Sequence, residues 1–103
     1  VLVSVPSTKN WNYAKHNAVA ETAKVLGIDY VDMNTLREEI PINWNTDTRD
    51  KGDHLNYFGA VKATEYFGKY LEEKRIFRDK RKLNEYKDWN STADEFLSSV
   101  EKV

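Results

Sequence analysis

The chain contains no cysteine and only two histidines, so proton transfer near neutral pH has two imidazoles to run through. His54 stands in Asp50-Lys51-Gly52-Asp53-His54-Leu55-Asn56, with carboxylates one and four residues upstream. A carboxylate beside an imidazole holds its tautomer and stabilises its charged form, the support a general base needs in nucleophile–His–acid catalysis. Asp50 is the preferred partner, because a side chain adjacent to His54 diverges from it in an extended segment; Asp53 stays open as the alternative. The competing reading is that Asp53-His54 only caps the helix that follows. His16, between Lys15 and Asn17 near the start of an earlier helix, falls on the solvated face and is expected to be a surface residue. Asp47, Asp50, Asp53 and His54 are ordinary metal-ligand types. The third and fifth positions counted from Asp47 are Arg49 and Lys51, which fits no calcium loop. A solvated acidic loop is the preferred reading, with no metal and no cofactor. Lack of cysteine removes thiolate nucleophiles, disulfides and Cys-based zinc sites.

The elements that must position His54 follow from pattern. Val1-Leu2-Val3-Ser4-Val5 is a β-branched run ending at Pro6-Ser7, suited to a parallel strand buried on both faces. Ala14, Ala18, Val19, Ala23, Val25 and Leu26 recur at near-helical spacing, with Asn10 or Asn12 as N-cap and Gly27 as the stop. Ile28 to Met33 reads as a second strand, completing strand–helix–strand. Residues 35–52 hold Pro41 and several Asp and Asn without periodicity, a long ordered loop of the kind that often carries function. Asn56 caps a helix over 57–74, with Ala60, Ala63, Phe67, Tyr70 and Leu71 along its apolar stripe. A last helix is expected from Thr92, capped by Ser91, with Phe96, Leu97 and Val100 on one face. Residues 1–74 form the α/β part, and residues 75–103 a basic linker and helical extension of the same domain. The segment entering a late helix lies beside the carboxyl ends of parallel strands, where ligand crevices form. A strand of this kind at the first residue, followed by only one more, leaves a very small sheet with open edges. The expectation is that upstream strands are missing or that a second copy supplies them.

The chain has 103 residues and a net charge of −1, with a mean hydropathy of −0.77. This fits one small domain and gives no global basic field for nucleic acid. The longest apolar run falls far short of the roughly 20 residues of a membrane helix, and no targeting segment is visible. Lys74, Arg75, Arg78, Lys80, Arg81 and Lys82 face Asp79 alone. With near-neutral total charge this reads as a solvated helix end, so neither nucleic acid nor a membrane is expected as a partner. Trp11, Trp44 and Trp89 sit in or near loops, where an indole lines a cleft, stacks on a sugar or docks onto the domain body.

The string Gly52-Asp53-His54-Leu55-Asn56-Tyr57-Phe58-Gly59-Ala60-Val61-Lys62-Ala63-Thr64, followed by Tyr66-Phe67-Gly68-Lys69-Tyr70-Leu71, resembles the last block of SGNH/GDSL-type hydrolases. The match is to a bacterial subgroup with a GDHLNxxGAxK closing block. The strand ending in Pro6-Ser7, the Trp-containing loop, the helix with Asn17 and Ala20 and the Gly27-to-Asp32 strand are similar as well. The resemblance spans roughly Val1 to Leu71, with the rest resembling the subgroup's C-terminal extension. It implies the C-terminal half of a three-layer α/β/α (flavodoxin-like) domain with a short parallel sheet. It also implies a serine ester hydrolase acting on an O-acyl group, with a carbohydrate as the expected alcohol, outside the cytoplasm or in the cell envelope. His54 would be the base, Asp50 or Asp53 its acid, and Asn56 and Trp44 substrate contacts. The family's Gly-Asp-Ser nucleophile block and its oxyanion-hole residues have no counterpart here. Ser4 lies in a strand and Ser7 in a Pro-Ser-Thr turn, while Lys51 fills the usual acid position. The chain alone is therefore expected to be inactive. The alternatives are a non-catalytic α/β module that homodimerises through its open sheet edge and, more weakly, an anion- or nucleic-acid-binding domain using Lys74–Lys82.

Overall fold

Two short strands, β1 (Leu2–Ser4) and β2 (Tyr30–Asp32), pair in parallel with Leu2 opposite Tyr30 and Ser4 opposite Asp32. The computed structural model describes residues 1–101. Helix α1 (Tyr13–Leu26) makes the crossover, with the Asn12 side chain accepting from the Lys15 N–H and Gly27 closing the C-terminus. Helix α2 (Tyr57–Lys74) and helix α3 (Lys87–Glu101) follow. The described residues thus form a mixed α/β fold with three helices and a two-stranded parallel sheet. The chain divides into two compact units, Val1–Lys69 and Tyr70–Val103.

The core of the first unit is small: Ala23 of α1, Val31 of β2, Met33, Ile40 and Ala63 of α2. The sequence predicts β1 buried on both faces, and here the structure differs. Val1, Val3 and Val5 are 53%, 37% and 62% exposed, because no layer of the first unit covers their side of the sheet. Val25 and Leu26, counted in the apolar stripe of α1, are also exposed.

After a short 3-10 turn over Met33–Thr35, residues 36–56 contain no strand or helix beyond a single antiparallel bridge between Thr48 and Leu55. Buried polar groups hold them instead. The Asp47 carboxylate accepts from Lys62 Nζ on α2 at 2.7 Å and from the Asn43 N–H at 2.8 Å. These donors, Lys62 foremost, hold the carboxyl below its ordinary range. Thr48 Oγ1 donates to the Trp44 carbonyl and accepts from the Gly52 N–H. Asn56 begins α2, accepting from the Gly59 N–H at 3.2 Å while its amide donates to the Thr46 carbonyl at 2.7 Å. Gly59 packs so closely on this loop that a Cβ there would stand 2.3 Å from the Asp47 carbonyl oxygen. That oxygen also receives the Asn56 N–H, so it cannot retreat without breaking the start of α2. Gly59→Ala should therefore destabilise the fold by about 1–3 kcal/mol, the usual scale for overpacking. Chemical denaturation checks this, and a change within about 0.5 kcal/mol, typical of surface sites, would contradict the packing described.

In the second unit α3 starts at Lys87, earlier than the Thr92 start predicted from the sequence. Ser91 and Thr92 lie within it and donate to the carbonyls of Lys87 and Asp88 one turn back, the alternative open to hydroxyl side chains inside helices. Trp89, Phe96 and Leu97 are exposed. In the basic stretch, Arg81 Nη2 and Nε clasp both oxygens of Asp79. Lys80 stands 4.9 Å over the Tyr86 ring.

Candidate functional site

The loop ahead of α2 turns on two residues of unusual backbone. Lys51 has φ 57° and Gly52 φ 128°, left-handed values that only glycine takes without strain. A Cβ at Gly52 would also collide with Thr8 Oγ1 at 2.3 Å. This coil brings the Asp50 side chain back over the residues after it. Asp50 Oδ1 accepts from the N–H groups of Asp53 and His54 at 3.0 and 2.9 Å, and its Oδ2 lies 2.7 Å from His54 Nδ1. Asp53 Oδ2 lies 3.3 Å from the same nitrogen. The extended geometry that would have turned Asp53 away from its neighbour is absent, so both carboxylates face one imidazole.

His54 is open to solvent, with its side chain 72% exposed against 38% for Asp50 and 16% for Asp53. The hydrogen bond to Asp50, then the negative charges of Asp53 and Asp50, push the imidazole above its ordinary value. The same bond, with the backbone donors, holds the Asp50 carboxyl far below the carboxylate range. With Nδ1 held by carboxylates, Nε2 makes no hydrogen bond among the described residues and is the nitrogen able to exchange a proton with a substrate. His54, Asp50 and Asp53 could each offer one ligand atom within 4.8 Å of the others. Hydrogen bonding accounts for that proximity without an ion, and Asp47 is withdrawn to Lys62, so no metal site is assigned.

A second His–Asp pair was not legible in the sequence. His16, in the first turns of α1, is not the surface residue expected: its side chain is 28% exposed, and Nδ1 lies 2.6 Å from Oδ2 of Asp32, which is 2% exposed. Trp11 Nε1 donates to the same oxygen at 2.8 Å, and the Asn34 N–H and side-chain amide both donate to Oδ1 at 2.9 Å. Burial alone would raise the Asp32 carboxyl; the His16, Asn34 and Trp11 donors outweigh it and hold it below its ordinary value. Beside it, Ser4 Oγ and the Tyr30 hydroxyl are 2.6 Å apart, and burial raises the phenol. Asp32 ends β2 and His16 lies in the first turn of α1, so the pair marks the carboxyl end of the sheet. That shared position is the signal that could have found it.

An open cleft of about 940 Å³ lies in this first unit, with Trp11, Tyr13, Arg37, Asn43 and Trp44 among its walls. Ser7 and Thr8 also line it and reach the His54 loop: Ser7 Oγ donates to Asp53 at 2.9 Å, and Thr8 N–H and Oγ1 donate to the Gly52 carbonyl. Trp44 therefore stands in a cleft wall, whereas His54, Asp50 and Asp53 lie outside the lining. Both polar ends of the Asn56 amide are engaged in holding the loop and starting α2. No hydroxyl among the described residues hydrogen-bonds to His54, since Ser7 is directed to Asp53 instead. Comparison of the chain with protein-family models, with curated proteins and with solved structures finds no match.

Proposed function

We propose that these residues are the closing part of an SGNH-type serine ester hydrolase domain, acting on an O-acyl ester with a carbohydrate as the alcohol. The observation that carries this reading is the His54 imidazole, solvent-open and held through Nδ1 by Asp50 at 2.7 Å. In the complete site His54 Nε2 takes the proton of a serine hydroxyl as its oxygen attacks the acyl carbon, then returns it to the departing alcohol. Asp50, seconded by Asp53, holds the tautomer and stabilises the imidazolium. Nucleophile and oxyanion donors come from outside these residues, and the two-stranded sheet is part of a larger three-layer α/β/α domain. The cleft beside Ser7 supports a carbohydrate, since Trp11, Tyr13 and Trp44 offer ring faces for stacking and Asn43 and Arg37 offer hydrogen bonds.

A second reading rests on the uncovered Val1, Val3 and Val5 and on a sheet of two strands among the described residues: an association module in which another copy covers β1. One experiment addresses both. The 103-residue chain is assayed on an acetyl ester while light scattering gives its mass. The leading reading expects no hydrolysis above the buffer rate, because the donors aimed at developing charge are a large part of such catalysis. Hydrolysis abolished by His54→Ala in a monomer would overturn the assignment of an external nucleophile. An inactive dimer would show that copies cover the open sheet.

A further inference from the structure

We propose that Ser7 and Asn10 are positioning residues for His54, acting through Asp53. This rests on the reading of His54 as the functional imidazole and adds to it how the second carboxylate is aimed. Asp53 follows a glycine in a coiled loop, and an unrestrained carboxylate there would turn into water. Its Oδ1 is instead tied twice, by the Ser7 hydroxyl at 2.9 Å and by the Asn10 side-chain amide. Ser7 Oγ in turn accepts the Asn10 N–H at 3.0 Å, so the two anchors brace one another. With Oδ1 fixed, Oδ2 is the oxygen left facing His54 Nδ1 at 3.3 Å.

The anchor is itself rigid. Ser7 is buried, and its N–H donates to Asn34 Oδ1 at 2.8 Å. Asn34 is also buried, and its amide donates to the Val5 carbonyl and to Asp32 Oδ1 at 3.0 and 2.9 Å. A continuous line of hydrogen bonds thus runs from the His16–Asp32 pair at the sheet end through Asn34 and Ser7 to Asp53. The sheet, rather than the exposed loop, sets where the Asp53 carboxylate points. A carboxylate aimed this way helps hold the imidazole ring for proton transfer, and preorganised groups of this kind gain from a rigid support.

The charged groups that bear on His54 are Asp50, Asp53 and, opposing them, Arg49. The test is the pH titration of the His54 ring protons by NMR in the 103-residue chain. Asn10→Ala alters an exposed side chain and Ser7→Ala a buried one. Each should lower the His54 midpoint by about half a pH unit as Asp53 turns into solvent. In an Asp53→Asn background neither should move it further, the non-additivity expected when residues act through a shared partner. An unmoved or raised midpoint in Asn10→Ala, or an equal shift with Asp53 already neutral, would overturn the proposal, and Asn10→Ala decides if Ser7→Ala does not fold. No substrate enters this readout. Absence of esterase activity in a complete domain would therefore defeat the functional reading and leave this result standing.

Discussion

Replacing Asp32 by alanine is expected to remove about 3–5 kcal/mol of folding free energy, the scale for breaking a buried ionic hydrogen-bond set. Four donors converge on that carboxylate: His16, Trp11, and the backbone and side-chain amides of Asn34. Alanine would strand them in a site where Asp32 itself is 2% exposed, and an unsatisfied buried donor carries its full desolvation penalty. Because the surrounding core is built from small or few side chains, it has little burial to set against the loss. The wild-type contribution also has a defined pH window. The Asp32 carboxyl is depressed in the folded chain, so its stabilisation is complete above the unfolded carboxylate value and disappears as pH falls through the folded one. Denaturant titration at neutral and acid pH measures both effects. A loss below about 1 kcal/mol would mean that water replaces the carboxylate without strain.

The second large effect concerns catalysis. If the proposed ester-hydrolase reading holds, His54→Ala in the larger domain it requires should lower kcat/KM for an acyl ester by about 10²–10⁴-fold, the range for a positioned general base. The acid limb of the pH–rate profile follows from the same geometry. The base must be neutral to accept a proton, and Asp50 and Asp53 raise the imidazole above its ordinary value. The limb should therefore lie at higher pH than for an unpaired histidine. Asp50→Asn removes the largest cause and should move it down. Activity unchanged in His54→Ala would end the assignment of this residue as the base.

How far the sequence foretold this arrangement depended on the range of the interactions involved. The crossover between β1 and β2, the Gly27 cap and the span of α2 are set by local pattern, and they were legible; the N-cap of α1 was narrowed to Asn10 or Asn12, and the structure uses Asn12. The grouping of Asp50 and His54 was legible because both lie in one short loop. Asp53 was misjudged in its geometry, since nothing local announces that Lys51 adopts a left-handed backbone. The His16–Asp32 pair was missed because its partners are joined only when the whole crossover has folded. Exposure of Val1, Val3 and Val5 was hidden for another reason: a β-branched run signals a strand but cannot say which of its faces is covered. The start of α3 slipped because Ser91 and Thr92 have the residue types of caps, yet bond backwards to Lys87 and Asp88.

In the proposed function, Nδ1 of His54 is committed to Asp50 and Nε2 is left to act as the base. Nitrogen-15 NMR of the imidazole across a pH titration tests it most directly. The neutral ring should carry its proton on Nδ1, and its midpoint should lie above the ordinary histidine value of about 6.5. A neutral ring protonated on Nε2, with a midpoint at or below that value, would contradict it.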